Sequence, residues 1–452
     1  AMQDIDLAIE KDPTSALAYF AKAQLYLTHL SDPDSKQKAQ SSLQNVVSQD
    51  PDGPLGELAQ GVLEQIKRAW DPAIEHYNRA ISADPKLVDG YLLRAEARIR
   101  KREYAAALTD AAAAVRMDPN SSDALTLLAE ARYFSTHDST NRSGDRQGAM
   151  TDLDKALTLD PSNGRALAMR AYARLERDRI GDLLSTRDDQ ELARKDAKAA
   201  TLVDQEQPLG HLALAEVEYA QRNMAEALRH ASKAVERGRH LAIVYLVRGR
   251  LRAIDGDDQA IQDFDEVLRI EPGNARALTN KAALLVARQE FDNARACLDL
   301  AITTDRELAE AHFQRGLVYL KQRPRQYQLA IDDLSKAIEL KPQFADAYFY
   351  RACAFHDLKQ WDQCIDDLAK AESQRKDEGR GQHVREIYLT RGHCLYYKRE
   401  WRLALETYNA YLGMAIPGTK AIEKVKARIP EIEKAIAGEN IEPIEDSTPE
   451  DQ

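Results

Sequence analysis

One recurrence in the sequence constrains the fold more than any other feature. Pro51, Pro85 and Pro119 follow one another at intervals of 34 residues, and each comes directly after an aspartate. Further units end at equivalent positions, which are Pro13, Pro161, Gln205, Arg239, Pro272, Arg306 and Pro342. At 452 residues the chain is longer than a single core usually grows, and a fixed period indicates that small units stack side by side. The period predicts about eleven units before residue 417.

Each unit contains two segments with the composition of α-helices. The segment "YLLRAEARIRKREYAAALTDAAAAVRMDP" (91–119) aligns with "YFYRACAFHDLKQWDQCIDDLAKA" (348–371) almost position for position, and strong helix formers dominate both. A small residue stands in the middle of the first segment, at Ala95, Gly249, Gly316, Ala352 and Gly392. A large residue stands near the turn, at Tyr104, Phe291, Trp361 and Trp401. Small residues let two helices approach closely while large ones fill the space between them, so the pattern predicts packed helix pairs and no β-strands.

This pattern resembles the tetratricopeptide repeat, in the variety that carries an Arg-Gly or Arg-Ala pair in its first helix. Arg248 with Gly249 and Arg94 with Ala95 are two such pairs. The resemblance recurs along nearly the whole chain. It implies an all-α, right-handed superhelical solenoid of antiparallel helix pairs, in which the first helices line a concave groove.

The recurrence also predicts how the chain is organised. Residues 1–13 correspond to the second helix of an incomplete repeat, and we expect natural sequence to precede them. Residues 14–417 form the array, with insertions at 135–147 and 177–190 that are expected to emerge side by side on one edge. Residues 418–438 have apolar residues three and four apart, which predicts a capping helix that Pro430 kinks or divides. Residues 439–452 are predicted to form an acidic tail.

Arginine and aspartate vary together from unit to unit. Where an arginine precedes the small residue of the first helix, the second helix usually carries an aspartate. The pairs are Arg94/Asp110, Arg170/Asp196, Arg248/Asp263, Arg315/Asp333 and Arg351/Asp367. Arg391, opposite Thr407, and Asp152, opposite Leu128, depart from this rule. We predict partly buried ion pairs that join the two helices, because a catalytic carboxylate would not be copied along an array.

Residues that differ between units are better candidates for function. The register predicts that eleven aromatic and histidine side chains face the groove. They are Phe313, Phe349, Tyr350, His356, His393, Tyr396, Tyr397, Tyr133, Phe134, Tyr172 and Tyr219, with Glu96, Glu130 and Glu216 interleaved. Aromatic rings with a polar group are common anchors of recognition surfaces. The alternative is that several of these rings pack between neighbouring units.

Catalytic and metal chemistry are not predicted. The sequence holds no phosphate loop, nucleophile elbow or HExxH motif, so we do not expect an enzyme. Cys353, His356 and His393 could just reach a zinc ion, but no fourth ligand stands at a matching spacing. We therefore predict neither a metal nor a cofactor.

The net charge narrows the class of partner. A formal charge of −11 argues against nucleic acid or an anionic membrane and favours protein partners with basic segments. No run approaches the ~18 apolar residues of a membrane span. Four cysteines without a CxxC pair mildly favour a reducing, cytoplasmic setting.

These observations predict a protein–protein interaction scaffold that binds a partner segment in the concave groove. Self-association through the uncapped N-terminal end is a further expectation. The alternative is a regulatory or targeting region of a larger multidomain enzyme, a kinase, protease or transferase, whose catalytic part lies upstream.

Overall fold

Helices make up the regular secondary structure of every part of the chain that the computed structural model describes. The described residues are 2–28, 34–135, 142–175, 186–203, 207–378, 384–414 and 419–444. Their helices fall into two units, the first extending to Arg239 and the second beginning at His240.

The first unit contains α1 (Met2–Lys11), α2 (Ala16–Thr28), α3 (Ser35–Gln49), α4 (Pro54–Ile66), α5 (Trp70–Ala83), α6 (Val88–Arg100), α7 (Tyr104–Met117), α8 (Ser122–Ser135), α9 (Arg142–Leu159), α10 (Gly164–Arg174), α11 (Arg187–Val203), α12 (Pro208–Ala220) and α13 (Met224–Arg237). The second unit contains α14 (Ala242–Asp255), α15 (Ala260–Ile270), α16 (Ala275–Ala287), α17 (Phe291–Thr304), α18 (Ala309–Lys321), α19 (Tyr327–Leu340), α20 (Ala345–Asp357), α21 (Trp361–Glu378), α22 (Val384–Tyr397), α23 (Trp401–Met414) and α24 (Lys420–Ile436).

Successive helices pack as pairs within each unit. The pairs run from α2/α3 to α12/α13 in the first unit and from α14/α15 to α22/α23 in the second. The even-numbered helix is the first helix of each pair, and it also contacts the first helix of the neighbouring pair. The first helices therefore form the inner layer of each unit, and the second helices lie outside that layer.

Glycines in the middle of the first helices allow this close packing. A Cβ atom added at Gly392 would lie 2.5 Å from two atoms of the Tyr408 ring on the second helix of its pair. One added at Gly61 would lie 2.3 Å from the Tyr77 ring. Because real Cβ atoms do not approach so closely, a larger residue would have to displace the ring. The predicted small positions are therefore where the two helices of a pair come nearest.

The turn between the two helices often holds a residue in the left-handed conformation. The φ angle lies between 59° and 66° at six residues, which are Arg68, Arg102, Arg222, Gln289, Lys359 and Arg399. Each precedes the first residue of the second helix by two positions. This conformation costs a residue with a Cβ roughly 1 kcal/mol, so the packing of the hairpins, rather than glycine, holds these turns.

The C-terminal helix α24 packs on α23 and covers the last hairpin. Its buried side chains include Ile422, Val425 and Ile432, from the apolar face that the sequence predicts. The helix runs without interruption through Pro430, so this proline does not divide it, and a kink, the other predicted outcome, stays a prediction. The proline removes one backbone donor, while packing on α23 holds the rest of the helix.

The two predicted insertions are only partly described. Helix α9 begins at Arg142 and α11 at Arg187, inside the ranges assigned to the insertions, so the second helices start earlier than the repeat predicts. Residues 136–141 and 176–185 lie outside the described residues, as does the tail beyond residue 444. No helix in the described ranges is both long enough and apolar enough to cross a membrane.

Candidate binding surfaces

The five predicted arginine–aspartate pairs are present in the structure, and each is bidentate. Arg94 Nε and Nη2 donate to Asp110 Oδ2 and Oδ1 over 2.9 and 2.7 Å. Arg351 holds Asp367 in the same way over 2.7 and 2.8 Å. The other pairs, Arg170 with Asp196, Arg248 with Asp263 and Arg315 with Asp333, repeat this geometry.

In each of these pairs a buried aspartate meets a half-buried arginine, so the pair as a whole is partly buried. Asp196 is only 6% exposed and Asp263 only 2% exposed. Asp110, Asp333 and Asp367 are buried as well. The five arginines do remain partly exposed, because a long side chain can reach a buried carboxylate from the edge of the helix pair. These carboxylates therefore hold the helices together and are not free to bind a ligand.

A second arginine lies beside three of the aspartates, which are Asp110, Asp196 and Asp263. Arg98 Nη1 donates to Asp110 Oδ2 over 2.6 Å, and Arg252 Nη1 donates to Asp263 Oδ2 over 2.9 Å. Arg174 Nε lies 3.3 Å from Asp196 Oδ2. Each of these arginines follows the predicted one by four residues, which places it one helical turn further along the first helix. The additional positive charge helps to offset the cost of burying the carboxylate.

Several of the predicted arginines also reach the second helix of the preceding hairpin, which sequence reasoning missed. The contacts are Arg94 with Asn78 (2.7 Å), Arg170 with Asp154 (2.8 Å), Arg315 with Asp299 (2.8 Å) and Arg351 with Ser335 (2.9 Å). In each case the partner lies 16 residues before the arginine. Because the type of residue at this partner position varies, the position was not recognised as part of the repeat. Its fixed distance of 16 residues from the arginine could have revealed it. One guanidinium thus links three helices.

Both departures from the pairing rule have partners. Arg391, which faces Thr407, donates to Glu372 on the preceding second helix over 2.6 Å. Asp152 lies 3.4 Å from Arg132, one helical turn beyond Leu128. The charge is therefore matched by a different neighbour in each case.

In the first unit, the inner layer is held together by its own charges. Arg165 on α10 donates to both carboxylate oxygens of Glu130 on α8, over 2.9 and 2.7 Å. It also donates to Glu96 on α6 over 3.2 Å. Burial by itself would raise the pKa of Glu96, but the guanidinium groups of Arg165 and Arg100 hold it below its usual value. These carboxylates, predicted to flank a ligand, instead bind an arginine of the same layer.

Five of the eleven predicted groove residues are buried and serve as packing residues. Phe313, Phe349, Tyr133, Tyr172 and Tyr396 each expose less than a tenth of their surface. For example, the Tyr133 and Tyr172 rings meet edge to face with their centroids 5.8 Å apart. The expectation that these rings face a ligand is corrected, because each first helix must also fill the space toward the next hairpin. Tyr350, His356, His393, Tyr397, Phe134 and Tyr219 remain half-buried.

In the second unit, half-buried rings from two consecutive first helices and from the start of the second helix between them form one cluster. We call His356, Trp361, His393 and Tyr397 the aromatic patch. The His356 ring lies 5.5 Å from Trp361 and 6.1 Å from His393. The Trp361 and Tyr397 rings stack with an interplanar angle of 18° and a centroid distance of 5.0 Å. Tyr350 lies earlier on α20, in contact with the Phe313 and Phe349 rings. Packing fixes these rings while part of each stays exposed.

Comparison with known proteins agrees with this architecture. The family model for the tetratricopeptide repeat matches residues 258–316. A solved chain of the APC/C hetero-tetramer Cut9–Hcn1 is 15% identical, with a TM-score of 0.59 over 94% of this chain and 92% of that chain. Residues 258–316 therefore contain tetratricopeptide repeats. The described residues of the chain have the all-α solenoid fold that the sequence predicts.

Two further solved structures resemble this chain. Yeast Tom70 is 14% identical, with a TM-score of 0.38 over 94% of this chain and 99% of that chain. A tetratricopeptide repeat protein from Parabacteroides merdae is 16% identical, with a TM-score of 0.39 over 59% of this chain and 98% of that chain.

The cysteine and histidine residues of the repeats do not assemble a metal centre in the described ranges, where no three or more His, Cys, Asp or Glu side chains are placed to share an ion. Burial raises the pKa of Cys353 to about 12, which disfavours the thiolate that a metal would need. Cys364 and Cys394 lie fully buried in the core beside Leu368, as small apolar residues do.

The last hairpin holds the beginning of the acidic tail. The Tyr396 hydroxyl accepts a hydrogen bond from the Ile444 backbone N–H over 3.0 Å. The Tyr397 hydroxyl donates to the Ile444 carbonyl over 3.4 Å. Arg399 forms an ion pair with Glu442. The described part of the tail, residues 439–444, has no helix or strand and contacts the hairpin through Glu442 and Ile444.

Two residues of α24 form hydrogen bonds with the hydroxyls of these tyrosines. Arg428 donates to the Tyr397 hydroxyl over 3.1 Å, and Glu431 accepts from the Tyr396 hydroxyl over 2.9 Å. The Arg428 guanidinium also lies 4.7 Å from the centroid of the Tyr396 ring. We call the five residues Tyr396, Tyr397, Arg399, Arg428 and Glu431 the tyrosine clamp. Sequence reasoning found the two tyrosines but not the other three residues, because their roles depend on a contact more than 30 residues away in the chain.

Proposed function

We propose that this protein is an interaction scaffold, and that a segment of a partner protein binds the inner layer of its second unit. The observation that carries the proposal is the aromatic patch, together with Tyr350 on the same helix as His356. These side chains come from α20, α22 and the start of α21, and each combines an apolar face with a polar group or edge. Such side chains supply much of the binding energy in protein interfaces.

The rigidity of the patch supports this role. Trp361 is held by stacking on Tyr397, and His393 meets the Tyr408 ring at 5.7 Å. Because packing within the protein already orders the rings, a partner does not bear the full cost of ordering them on binding. The inner layer of the first unit offers less, since its carboxylates and several of its rings are already engaged with one another.

Charge supports a subsidiary proposal about the partner. The formal charge of −11 favours a partner with basic residues outside the aromatic contact. Affinity for such a partner is expected to fall as salt rises from about 50 to 500 mM, because the screening length shortens. An affinity that does not change with salt would argue against a basic partner but would not test the role of the aromatic patch.

Affinity capture from the source lysate with two matched variants tests the proposal. The patch variant carries Tyr350→Ala, His356→Ala and His393→Ala. The control variant carries Leu300→Ala, Leu329→Ala and Leu403→Ala, which truncate exposed leucines on the second helices α17, α19 and α23. Circular dichroism first establishes that both variants keep the parent's helicity.

The patch variant is expected to lose a partner that the parent and the control recover. The affinity for that partner, once purified, is expected to fall at least tenfold, equivalent to about 1.4 kcal/mol. Equal affinity of parent and patch variant for every recovered partner would refute binding at this surface.

The remaining expectations stay predictions. A regulatory or targeting role in a larger enzyme is tested by the coding sequence upstream of residue 1. Self-association through α1 is tested by sedimentation equilibrium, and a cytoplasmic location by imaging of the tagged natural protein.

A further inference from the structure

The tyrosine clamp presents one hydrogen-bond acceptor and one donor, side by side. Tyr396 donates its hydroxyl proton to Glu431, which leaves the oxygen free to accept the Ile444 N–H. Tyr397 accepts from Arg428, which leaves its own proton to donate to the Ile444 carbonyl. Two adjacent hydroxyls therefore match the N–H and C=O of a single residue, as the backbone of a neighbouring β-strand does.

Arg399 makes the clamp selective for a segment that carries a negative charge, in addition to its recognition of the backbone. Its guanidinium pairs with Glu442, two residues before the residue whose backbone the tyrosines hold. Successive side chains of an extended segment alternate between its two faces, so residues two apart lie on the same face. Ile444 is 60% exposed, so the clamp contacts its backbone and does not recognise its side chain. The recognised pattern is thus a carboxylate followed two positions later by an extended residue of any type with a backbone N–H.

We infer that the tyrosine clamp is a binding site for an extended acidic segment of a partner protein, and that residues 439–444 occupy it as a tethered competitor. The inference rests on the proposed scaffold function and deepens it by naming the chemistry of one partner segment. The chain's own tail shows the backbone geometry and the charge that the clamp accepts, and a partner segment would need the same two features. An acidic segment at this local site is compatible with a net negative protein, because Arg399 and Arg428 supply positive charge at the clamp.

The contacts that hold the tail include two backbone hydrogen bonds and an ion pair in which the Glu442 side chain is 73% exposed. An ion pair this exposed contributes little to binding. Such a tether acts as a ligand at an effective concentration on the order of millimolar. A partner segment with the same pattern and additional contacts would replace it.

Fluorescence anisotropy with a peptide probe and the full-length chain tests the inference. The probe is Gly-Glu-Asn-Ile-Glu-Pro-Ile amide, the sequence of residues 438–444, with fluorescein at its N-terminus. A release variant carries Glu442→Arg, which reverses the charge that Arg399 binds, and Ile444→Pro, which removes the N–H that Tyr396 binds. Both changes lie beyond the last helix, and circular dichroism verifies that the fold is kept.

The release variant is expected to bind the probe about tenfold or more tightly than the parent, because its own tail no longer competes. Adding Arg399→Ala or Tyr397→Phe to the release variant is expected to weaken binding at least threefold. Adding Arg402→Ala, which removes an exposed arginine of α23, serves as the matched control and is expected to change nothing. A probe with arginine at the position of Glu442 should bind poorly to the release variant and recover affinity when Arg399→Glu is added.

Equal affinity of the parent and the release variant, or no saturable binding by the release variant at millimolar probe, would overturn the inference. Insensitivity to both Arg399→Ala and Tyr397→Phe would overturn it as well. These results are separable from the proposed function, because the capture experiment changes Tyr350, His356 and His393, none of which is a residue of the tyrosine clamp. Loss of the clamp inference with a patch-dependent partner retained would leave the scaffold proposal standing.

Discussion

The inner layer of the first unit and the C-terminal end of the second are built from the same repeat but differ in how their polar groups are used. In the first unit, Arg165 of α10 binds Glu130 and Glu96 of the two preceding first helices. At the end of the second unit, Arg399 and the hydroxyls of Tyr396 and Tyr397 bind a separate segment of chain. The polar groups of the first unit's inner layer bind one another, whereas those at the end of the second unit bind a separate segment of peptide.

The difference teaches where function should be sought in a repeat array. A charge that neighbouring helices satisfy contributes to the register of the stack and is costly to remove. A polar group that an exposed tail satisfies can exchange that tail for another ligand at little cost. The predictions below test this division, from the largest expected effect to the smallest.

Replacing Arg165 should have the largest effect on stability. Arg165→Met keeps much of the side-chain volume but leaves Glu130, whose side chain is 7% exposed, without its bidentate partner. An uncompensated buried carboxylate costs about 3–5 kcal/mol. Hydrogen exchange measured by mass spectrometry should show faster exchange in α8 and α10.

Arg79→Met is the matched control, because Arg79 also pairs with a glutamate of a first helix but is half exposed. Its cost is expected to stay within about 1 kcal/mol. Equal losses for the two variants would show that the charges of the inner layer are not structural. Adding Glu130→Gln to Arg165→Met should recover part of the loss.

Acid should weaken the first unit through a pair of histidines. His211 on α12 and His230 on α13 lie with their rings 5.5 Å apart. Burial, the neighbouring His230 and the cations Lys233, Arg237 and Arg229 lower the pKa of His211 to about 4, and burial also lowers the pKa of His230. The unfolded chain binds these protons near pH 6.5 while the folded chain does not, so the stability contribution is complete above that pH and is lost as the pH falls toward 4.

The expected loss is about 2–3 kcal/mol between pH 7.5 and pH 4.5, since each unit of pKa shift corresponds to ~1.4 kcal/mol. Thermal unfolding followed by circular dichroism across this range measures it. A variant with His211→Asn and His230→Asn should show a flatter dependence of Tm on pH. An unchanged slope would mean that other groups titrate.

The sequence predicted the features that repeat and missed those that occur once. Helix pairing, the small position at Gly392 and the bond between Arg351 and Asp367 each recur through many units, so one atypical unit does not hide them. Whether a ring is buried was harder to predict, because a first helix faces both the groove and the next hairpin. Tyr396 and Tyr397 are adjacent in sequence, yet only Tyr396 is fully buried.

The covariation gave the pairing of the charged groups but no measure of how deep each partner lies. Half-buried arginines hold Asp196 and Asp263, which are themselves buried. Their second arginines, Arg174 and Arg252, lie four residues after the predicted ones. The additional guanidinium replaces part of the hydration that the buried carboxylate loses.

The tail contact was beyond prediction for another reason. It depends on the direction of two hydroxyl protons, which Arg428 and Glu431 set from the capping helix. No repeat column contains these residues, since α24 lies outside the array. The sequence indicated an acidic tail but held no recurring signal for its position.

The smallest expected effect connects packing in the second unit to its clamp. In Gly392→Ala the new Cβ would lie 2.5 Å from the Tyr408 ring, so the ring must shift at a cost of about 1–3 kcal/mol. The Tyr408 hydroxyl accepts from Arg428, and Arg428 in turn orients the hydroxyl of Tyr397. Gly392→Ala should therefore lower the Tm and also speed amide exchange at Ile444.

Gly413→Ala on α23 is the matched control, because a Cβ there meets no atom within 4 Å. In a helix this change is expected to be neutral or to stabilise by about 0.5–1 kcal/mol, with Ile444 exchange unaltered. Faster exchange at Ile444 in Gly392→Ala alone would mean that the clamp depends on the core behind it. Equal exchange at Ile444 in both variants, despite a lower Tm for Gly392→Ala, would mean that the clamp holds the tail independently of the core behind it.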